Sequence, residues 1–250
     1  MRPSFAHLKL QRASARELLF LSFNFAKLGD RVPEAGRAGL LTALSRALDR
    51  DALIAMYLGW ASPVRDRISP EPIATAPAPV APEPTINSPA PFRAELHAAN
   101  DADSRRVAGL IQTQARTAGL ELNIRPVDLG GLMQGVLARQ NEITLLWIEQ
   151  AVPSTALFWA QFFTPGSPFA VLGQPIDGID ADVRAARSIL DPTARRAAYD
   201  AVIAKISGQQ SAWLSLCTRD AIYLTTPRVE SLGFDSNGNA TLGLVKIRGE

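Results

Sequence analysis

Apolar side chains near the N-terminus follow first a strand-like and then a helix-like pattern. In ELLFLSFNF, residues 17–25, large apolar side chains occupy both alternating faces, as in a strand buried between two covering layers. Over residues 36–58 the apolar side chains recur every three to five positions with charged residues between them, which predicts an amphipathic helix. Gly59 and Pro63 predict that this helix ends in a turn.

The part of the chain from Phe92 onward alternates between the two patterns. Strands are predicted at 92–98, 120–127 and 142–149, separated by helices at 101–118 and 128–139. This order is typical of parallel strands joined by helical crossovers. We therefore expect an α/β fold with a mainly parallel sheet flanked by helices.

The C-terminal part is predicted to contain further helices and strands. The helices are at 154–163, 181–190 and 193–207, and strands follow at 212–217 and 220–226. The sequence NGN then predicts the turn of a terminal hairpin.

A proline-rich segment, residues 69–91, interrupts the pattern before Phe92. Its sequence SPEPIATAPAPVAPEPTINSPAP has too many prolines for a helix or a central strand, so we expect an extended connector. The connector is long for a link inside a compact domain, which leaves two interpretations open. It is either a surface loop of one domain or a linker between two domains, and the α/β style on both sides favours the loop.

Composition and charge exclude several classes of protein. The chain is 47% hydrophobic and 20% charged with a formal net charge of +2, and its Lys and Arg residues are scattered, so nucleic acid is not an expected partner. One cysteine and two histidines provide neither an internal disulfide nor a zinc site. The apolar run at 18–25 is too short to span a membrane, and no signal-peptide cleavage site follows it. The protein is therefore expected to be cytoplasmic, or the chain lacks its original N-terminus.

No candidate catalytic, metal or cofactor site stands out in the sequence. Neither His7 nor His97 has a convincing catalytic partner, and the glycines of DLGGLMQG lack the spacing of a phosphate-binding loop. Asp177, Asp180 and Asp182 lack the rest of a calcium loop and fit helix capping better. We expect no enzyme activity and no cofactor, and a hydrolytic enzyme is the weakest interpretation.

Trp147 is a candidate for a ligand contact. It lies near the end of the strand ITLLWIEQ and is followed by Glu149 and Gln150. Ligands of open α/β sheets bind at the carboxyl ends of strands, and an aromatic ring beside polar groups suits an amphipathic ligand with backbone amides or a cationic group. The alternative is that Trp147 is a core residue, and both interpretations stand at this point.

Four stretches in a fixed order resemble the extracytoplasmic solute-binding proteins of ABC transporters, in the family that includes oligopeptide-, dipeptide- and nickel-binding proteins. FLSFNF is similar to the family's strand that ends in Phe-Asn, and LLTALSRALDRDALIAMYLGWASPV is similar to its Asp-Arg helix followed by a Gly-x-Ala-x-Pro turn. RRVAGLIQTQARTAGLELNIRPVDLGGL resembles its helix, strand and Asp sequence. DADVRAARSILDPTARRAAYDAVIAKISGQQSAWLSL resembles its Asp-x-x-x-Arg-x-x-x-Tyr helix and the apolar strand that follows.

The resemblance implies a periplasmic-binding-protein-like lobe and divides the chain into three parts. Residues 1–17 would be a lead-in, residues 18–218 the second lobe with its proline-rich loop, and residues 219–250 a return segment toward a first lobe that this chain lacks. Such proteins work by hinge closure of two lobes around a ligand. Strands around 20–24 and 213–218 would form the hinge pair here.

The resemblance also implies a function and a set of ligand contacts. The function would be recognition of a small peptide-like solute in the periplasm and its delivery to an ABC transporter permease. The implied ligand contacts are Asn24 at a strand end, with Trp147, Glu149 and Gln150 at the edge of the sheet. A single lobe is expected to keep its fold, to bind ligand weakly at most, and to self-associate through the face that its missing partner normally covers.

Two features depart from the family pattern. AVPSTALFW stands where the family has Asp-Pro soon after the tryptophan strand, and the chain begins at the crossover strand, without the signal sequence and the first half. A second hypothesis is a ligand-sensing or protein-interaction module built from the same lobe, with no transport role. A DNA-binding domain or membrane anchor in the full gene product would favour this second hypothesis.

Overall fold

The computed structural model describes residues 7–56, 61–63, 92–149, 161–173, 175–208, 212–235 and 238–248. The strands are β1 (Lys9–Phe23), β2 (Ala61–Pro63), β3 (Phe92–Ala99), β4 (Leu120–Val127), β5 (Ile143–Glu149), β6 (Trp213–Thr225), β7 (Val229–Phe234) and β8 (Ala240–Ile247). The α-helices are α1 (Phe25–Leu28), α2 (Glu34–Ala47), α3 (Arg50–Met56), α4 (Ala102–Ala115), α5 (Leu129–Leu137), α6 (Ile179–Ser188) and α7 (Pro192–Gly208). Short 3-10 helices lie at Gly29–Arg31, Arg116–Ala118 and Pro168–Val171.

Six of these strands form one sheet in the order β2-β6-β1-β5-β3-β4. β3 pairs in parallel with both β4 and β5, as the alternation of strands and helices predicts. β1 pairs antiparallel with β5 and with β6, and β2 adds to β6 in the same sense. The predicted α/β class is confirmed, and the sheet is mixed, with β5-β3-β4 as its parallel part.

Helices cover both faces of this sheet, and the central strand β1 carries core residues on each. Leu19 and Leu21 pack in one core with residues of α2, α3 and α4. Leu18 and Phe20 pack in a second core with residues of α5, α6 and α7. The two-faced apolar pattern of ELLFLSFNF therefore follows from the position of β1 between two helical layers.

The helix predicted at 36–58 is two helices, α2 and α3, with a break at Leu48. Leu48 has an extended backbone, with φ −79° and ψ 114°. The Asp49 carboxylate accepts hydrogen bonds from two backbone N–H groups in the first turn of α3. An aspartate in this position satisfies amide groups that lack a helical partner, so Asp49 starts a new helix where the apolar periodicity alone indicates a continuous one.

The elements predicted between 92 and 149 are confirmed with small shifts of their ends. Asp101 caps α4 by accepting hydrogen bonds from two backbone N–H groups, and Asp128 caps α5 by accepting one from the N–H of Gly131. Gly119 ends the α4 segment with a left-handed backbone, φ 72°. These caps are short-range signals, which is why the sequence pattern locates them.

β1 and β6 continue beyond the covered part of the sheet as a two-stranded ribbon. A register shift between Ala13 and Glu17 separates this ribbon from the rest of the β1 and β6 pairing. The hairpin of β7 and β8, predicted from NGN, lies beside the ribbon, where the ring of Tyr223 is 5.3 Å from that of Phe234. The strands predicted at the end of the chain before this hairpin are one continuous strand, β6.

Some predictions fall outside the described residues. They are the proline-rich segment 69–91, the site residue Gln150 and most of the helix predicted at 154–163. Of that helix, residues 161–163 are described and are helical.

Candidate ligand-binding site

Trp147 and Glu149 lie at the carboxyl ends of the parallel strands, at one edge of the sheet. The register puts Glu17 of β1 opposite Glu149, and Arg219 of β6 opposite Glu17. Residues opposite each other in antiparallel strands project from the same face. Leu19, which is opposite Trp147, belongs to the core under α2, α3 and α4, so all four side chains project from that face. We call Glu17, Trp147, Glu149 and Arg219 the edge cluster.

Arg219 contacts two other members of the edge cluster, Trp147 and Glu17. Its guanidinium carbon lies 4.5 Å from the centre of the Trp147 ring, which is the geometry of a cation–π contact. Its Nε donates a hydrogen bond to the Glu17 carboxylate. Trp147 is half-buried and also packs against the core. The two interpretations of Trp147 are therefore compatible, because one part of the ring packs on the core and another part reaches the edge.

The edge cluster holds one more negative charge than positive charge. Glu17 and Glu149 face each other across β1 and β5, and like charges in that arrangement repel. Arg219 forms an ion pair with Glu17, while Glu149 is exposed at the end of β5. A cation arriving at this edge would be attracted by the second carboxylate. The arrangement therefore suits the ammonium group of an amphipathic solute.

Asn24 lies at the opposite end of the sheet from Trp147. β1 and β5 are antiparallel, so the end of β1 meets the start of β5, about 20 Å from its end. The Asn24 amide nitrogen donates hydrogen bonds to the carbonyls of Arg139 and Asn141, and its side-chain oxygen accepts one from a backbone N–H of α1. The structure therefore does not bring Asn24 together with Trp147 and Glu149, and Asn24 instead links α1 to the turn after α5.

Clefts lie at this opposite end of the sheet. The larger, of about 460 Å³, is lined by β3 and β4 and by an ion pair between Arg31 and Glu142. Burial raises the pKa of Glu142, but hydrogen bonds from Arg31 and from the backbone N–H of Glu95 outweigh this effect and hold the pKa below its usual value. Glu142 is therefore a charged structural link. The smaller cleft, of about 230 Å³, contains Asn24 and is called the Asn24 cleft.

The single cysteine of the chain, Cys217, does not offer a nucleophile. It is fully buried, and burial raises its pKa to about 12, so the thiol stays protonated near neutral pH. Within the described parts of the chain, no group of three or more His, Cys, Asp or Glu side chains is placed to hold a metal ion.

Solved structures of binding proteins share this arrangement of strands and helices. The dipeptide binding protein from Pseudoalteromonas sp. SM9913 in complex with Met-Leu has a TM-score of 0.71, is 18% identical and is matched over 97% of this chain. NikA from Brucella suis in complex with Fe(III)-EDTA has a TM-score of 0.73 and 15% identity, also over 97% of this chain. DppA from Helicobacter pylori, an ABC transporter-associated periplasmic binding protein in complex with the peptide STSA, has a TM-score of 0.71 and 14% identity over 96%.

The chain has the fold of an ABC-transporter solute-binding protein. It spans about half the length of these solved structures, namely 50%, 53% and 49% of the three chains. No model of a known protein family matches the sequence, and no curated protein matches it. The fold predicted from FLSFNF and the three other stretches is confirmed by these structures.

The stretches expected as hinge strands lie inside the covered part of this solute-binding fold. Phe20 is completely buried, and Trp213 on β6 stacks on it with ring centres 3.8 Å apart. The strands leave the covered sheet only beyond Glu17 and Arg219, where the ribbon begins.

Sequence reasoning missed half of the edge cluster. Glu17 stands at the start of the apolar run of β1, and Arg219 stands where the sequence pattern divides β6 into two strands. Each is a charged residue within a long strand, and this is the local feature that could have marked it as a candidate site residue. Their meeting with Trp147 depends on strand register, which a single sequence does not contain.

No described helix of this solute-binding fold is long and apolar enough to cross a bilayer.

Proposed function

We propose that this chain is part of the substrate-binding component of an ABC-type uptake system and recognises a peptide-like solute at the edge cluster. The observation that carries the proposal is the contact of Trp147 with Arg219 and Glu17, beside the exposed carboxylate of Glu149. Structures with the same fold hold Met-Leu and the peptide STSA, which supports a peptide-like ligand.

Each member of the edge cluster has a role in this proposal. Glu149 pairs with the ammonium group of the solute, and Trp147 packs on an apolar part of it. The ion pair of Arg219 with Glu17 fixes the tryptophan ring, because the guanidinium covers one part of that ring. The side chains of such a cluster are set before the ligand arrives, which lowers the entropy lost on binding.

Closure of a second lobe over the edge cluster completes the site in this proposal. The chain spans about half the length of its structural neighbours, so a further half of similar size would supply the facing wall. The β1 and β6 ribbon, with its register shift between Ala13 and Glu17, supports a hinge at this position. The closed form delivers its solute to a permease, and the neighbours' periplasmic setting supports the same location for this protein.

Calorimetric titration of the complete gene product with a panel of dipeptides that includes Met-Leu tests this proposal. We expect at least one dipeptide to bind with a Kd below about 100 μM, and its N-acetylated form to bind at least about tenfold more weakly because it lacks the ammonium group. Glu149→Gln and Trp147→Phe should each weaken the binding by about 1–2 kcal/mol, with thermal unfolding close to that of the wild type.

Glu121→Gln is the matched control, because Glu121 is a carboxylate at the start of β4, at the other end of the sheet. This control should bind the dipeptide as tightly as the wild type. The proposal is contradicted if no dipeptide binds, if the N-acetylated form binds equally well, or if Glu149→Gln binds as tightly as Glu121→Gln.

A further inference from the structure

The Asn24 cleft is a separate concave surface formed by five parts of the chain. Its walls are the end of β1 with α1, the first turn of α2, the turn after α5, the end of the 3-10 helix Pro168–Val171 with the segment that follows it, and Ala212 just before β6. Its volume of about 230 Å³ is enough for a small organic molecule. It opens at the end of the sheet opposite the edge cluster, so a ligand in it would not meet Trp147.

The charged side chains that line the Asn24 cleft are Arg37 and Arg139. Among the described residues of the lining, none is an aspartate or a glutamate. The rest of the lining is mostly apolar and comprises Phe23, Phe25, Ala26, Ala170, Val171, Gly173, Pro175 and Ala212, together with Asn24. The cleft thus combines two positive charges with an apolar wall.

Arg139 is held in an unusual backbone conformation at the mouth of this cleft. Its φ is +56°, and among the described residues no other non-glycine residue has a positive φ. Glycine is the residue that normally ends a helix in this way, because a side chain is strained at positive φ. The Asn24 amide donates to the Arg139 carbonyl and so holds the turn. A strained arginine where glycine would fit better indicates that its side chain has a use.

Arg37 is held on the facing wall by an aromatic contact. Its guanidinium carbon lies 5.0 Å from the centre of the Phe25 ring. Its Nε is buried, and within the described residues it has no hydrogen-bond partner. A carboxylate is the group that best matches the planar donors of an arginine side chain.

We infer that the Asn24 cleft binds a small organic carboxylate, with Arg37 and Arg139 on its oxygens and the apolar wall around its body. The two cations favour an anion, and the apolar wall favours a carboxylate on a hydrocarbon group over inorganic phosphate. This site goes beyond the proposed solute site and does not depend on it, because the two lie at opposite ends of the sheet.

Calorimetric titration of the 250-residue chain with phenylacetate tests the inference, with phenylacetamide and inorganic phosphate as comparison probes. We expect phenylacetate to bind with a Kd on the order of 1 mM and the other two probes to bind at least about tenfold more weakly. Arg37→Met and Arg139→Gly should each weaken phenylacetate binding by about tenfold or more. Arg139→Gly should at the same time raise the melting temperature, because glycine relieves the strain of a positive φ.

Two control variants make the outcome specific. Arg46→Met removes an exposed cation from the far end of α2 and should leave phenylacetate binding unchanged. Trp147→Phe should also leave it unchanged, which separates this site from the edge cluster. The inference is overturned if phosphate or phenylacetamide binds as tightly as phenylacetate, if no probe binds, or if Arg37→Met and Arg46→Met behave alike.

Discussion

Arg50 is a charged side chain that is only 5% exposed, and its environment explains why the fold retains it. Its guanidinium donates hydrogen bonds to the backbone carbonyls of Ser215 and Leu216. These carbonyls lie at a bulge in β6, because Leu19 pairs with Cys217 whereas the next residue of β1 pairs with Ser215. The extra residue in a bulge leaves the strand ladder incomplete, and Arg50 supplies the missing donors.

Replacement of Arg50 by methionine should therefore destabilise the protein strongly. We expect a loss of about 2–4 kcal/mol in the free energy of unfolding, because two buried carbonyls lose a charged donor. Urea denaturation followed by circular dichroism measures this loss. Arg46→Met, on the exposed side of the preceding helix, should change it by less than about 0.5 kcal/mol, and equal effects of the two variants would contradict the role of Arg50.

His97 makes stability depend on pH. Burial lowers the pKa of His97, and the negative charges of Glu95 and Glu142 oppose this only in part, while Arg125 lowers it further. The unfolded chain therefore takes up a proton at this histidine more readily than the folded chain does. The stabilisation is complete above the ordinary histidine pKa and decreases as the pH falls below it. Glu142 has a lowered pKa, so it stays ionised over this range.

The expected result is a free energy of unfolding that is constant near pH 7.5 and decreases as the pH falls below about 6.5. Urea denaturation at closely spaced pH values measures this slope. His97→Gln should make the curve flatter over that range. His7→Gln, at an exposed position, should leave the slope as it is, and a flattening by His7→Gln alone would contradict the assignment.

At the scale of whole elements, the break between α2 and α3 depends on one cap. The Asp49 carboxylate accepts hydrogen bonds from two backbone N–H groups of α3, and this short helix packs Leu53 into the core. Asp49→Ala should lower the free energy of unfolding by about 1 kcal/mol, measured by urea denaturation. Asp49→Asn keeps a capping oxygen and should stay within about 0.5 kcal/mol of the wild type, and the reverse order would contradict the cap.

The strands and helices that the sequence predicted well are those with short-range signals. Apolar periodicity located β3, β4 and β5, and aspartate caps located the starts of α4 and α5. β1 begins at Lys9, well before the apolar run that predicted it, because its first residues are polar and gain their partners from β6. Antiparallel pairing of β1 with β5 also separated Asn24 from Trp147. Register and sheet order arise from contacts between distant segments, which local patterns do not encode.

At the scale of the whole molecule, the terminal hairpin and its ribbon expose apolar side chains. Leu242 is 88% exposed and Leu244 is 59% exposed. Leu10 and Leu224, opposite each other on the ribbon, are also exposed. Adjacent exposed apolar side chains of this kind promote association.

We expect this chain to self-associate in a concentration-dependent manner, as measured by sedimentation velocity. The double variant Leu242→Asp and Leu244→Asp should shift the protein toward monomer, because charge opposes burial of the hairpin surface. Leu190→Asp is the matched control, since Leu190 is 91% exposed between α6 and α7, away from the hairpin. Monomeric behaviour of the wild type at every concentration would contradict the prediction.

The central position of β1 has a consequence for the order of events during synthesis. β1 lies between β5 and β6 in space, yet roughly 200 residues of chain separate it from β6. A ribosome that adds about 5–20 residues per second leaves the most apolar strand of the protein without that neighbour for about 10–40 seconds. The segment LLFLSF is thus made early and gains its last strand neighbour late, so its unpaired edge is open to wrong pairing during that interval.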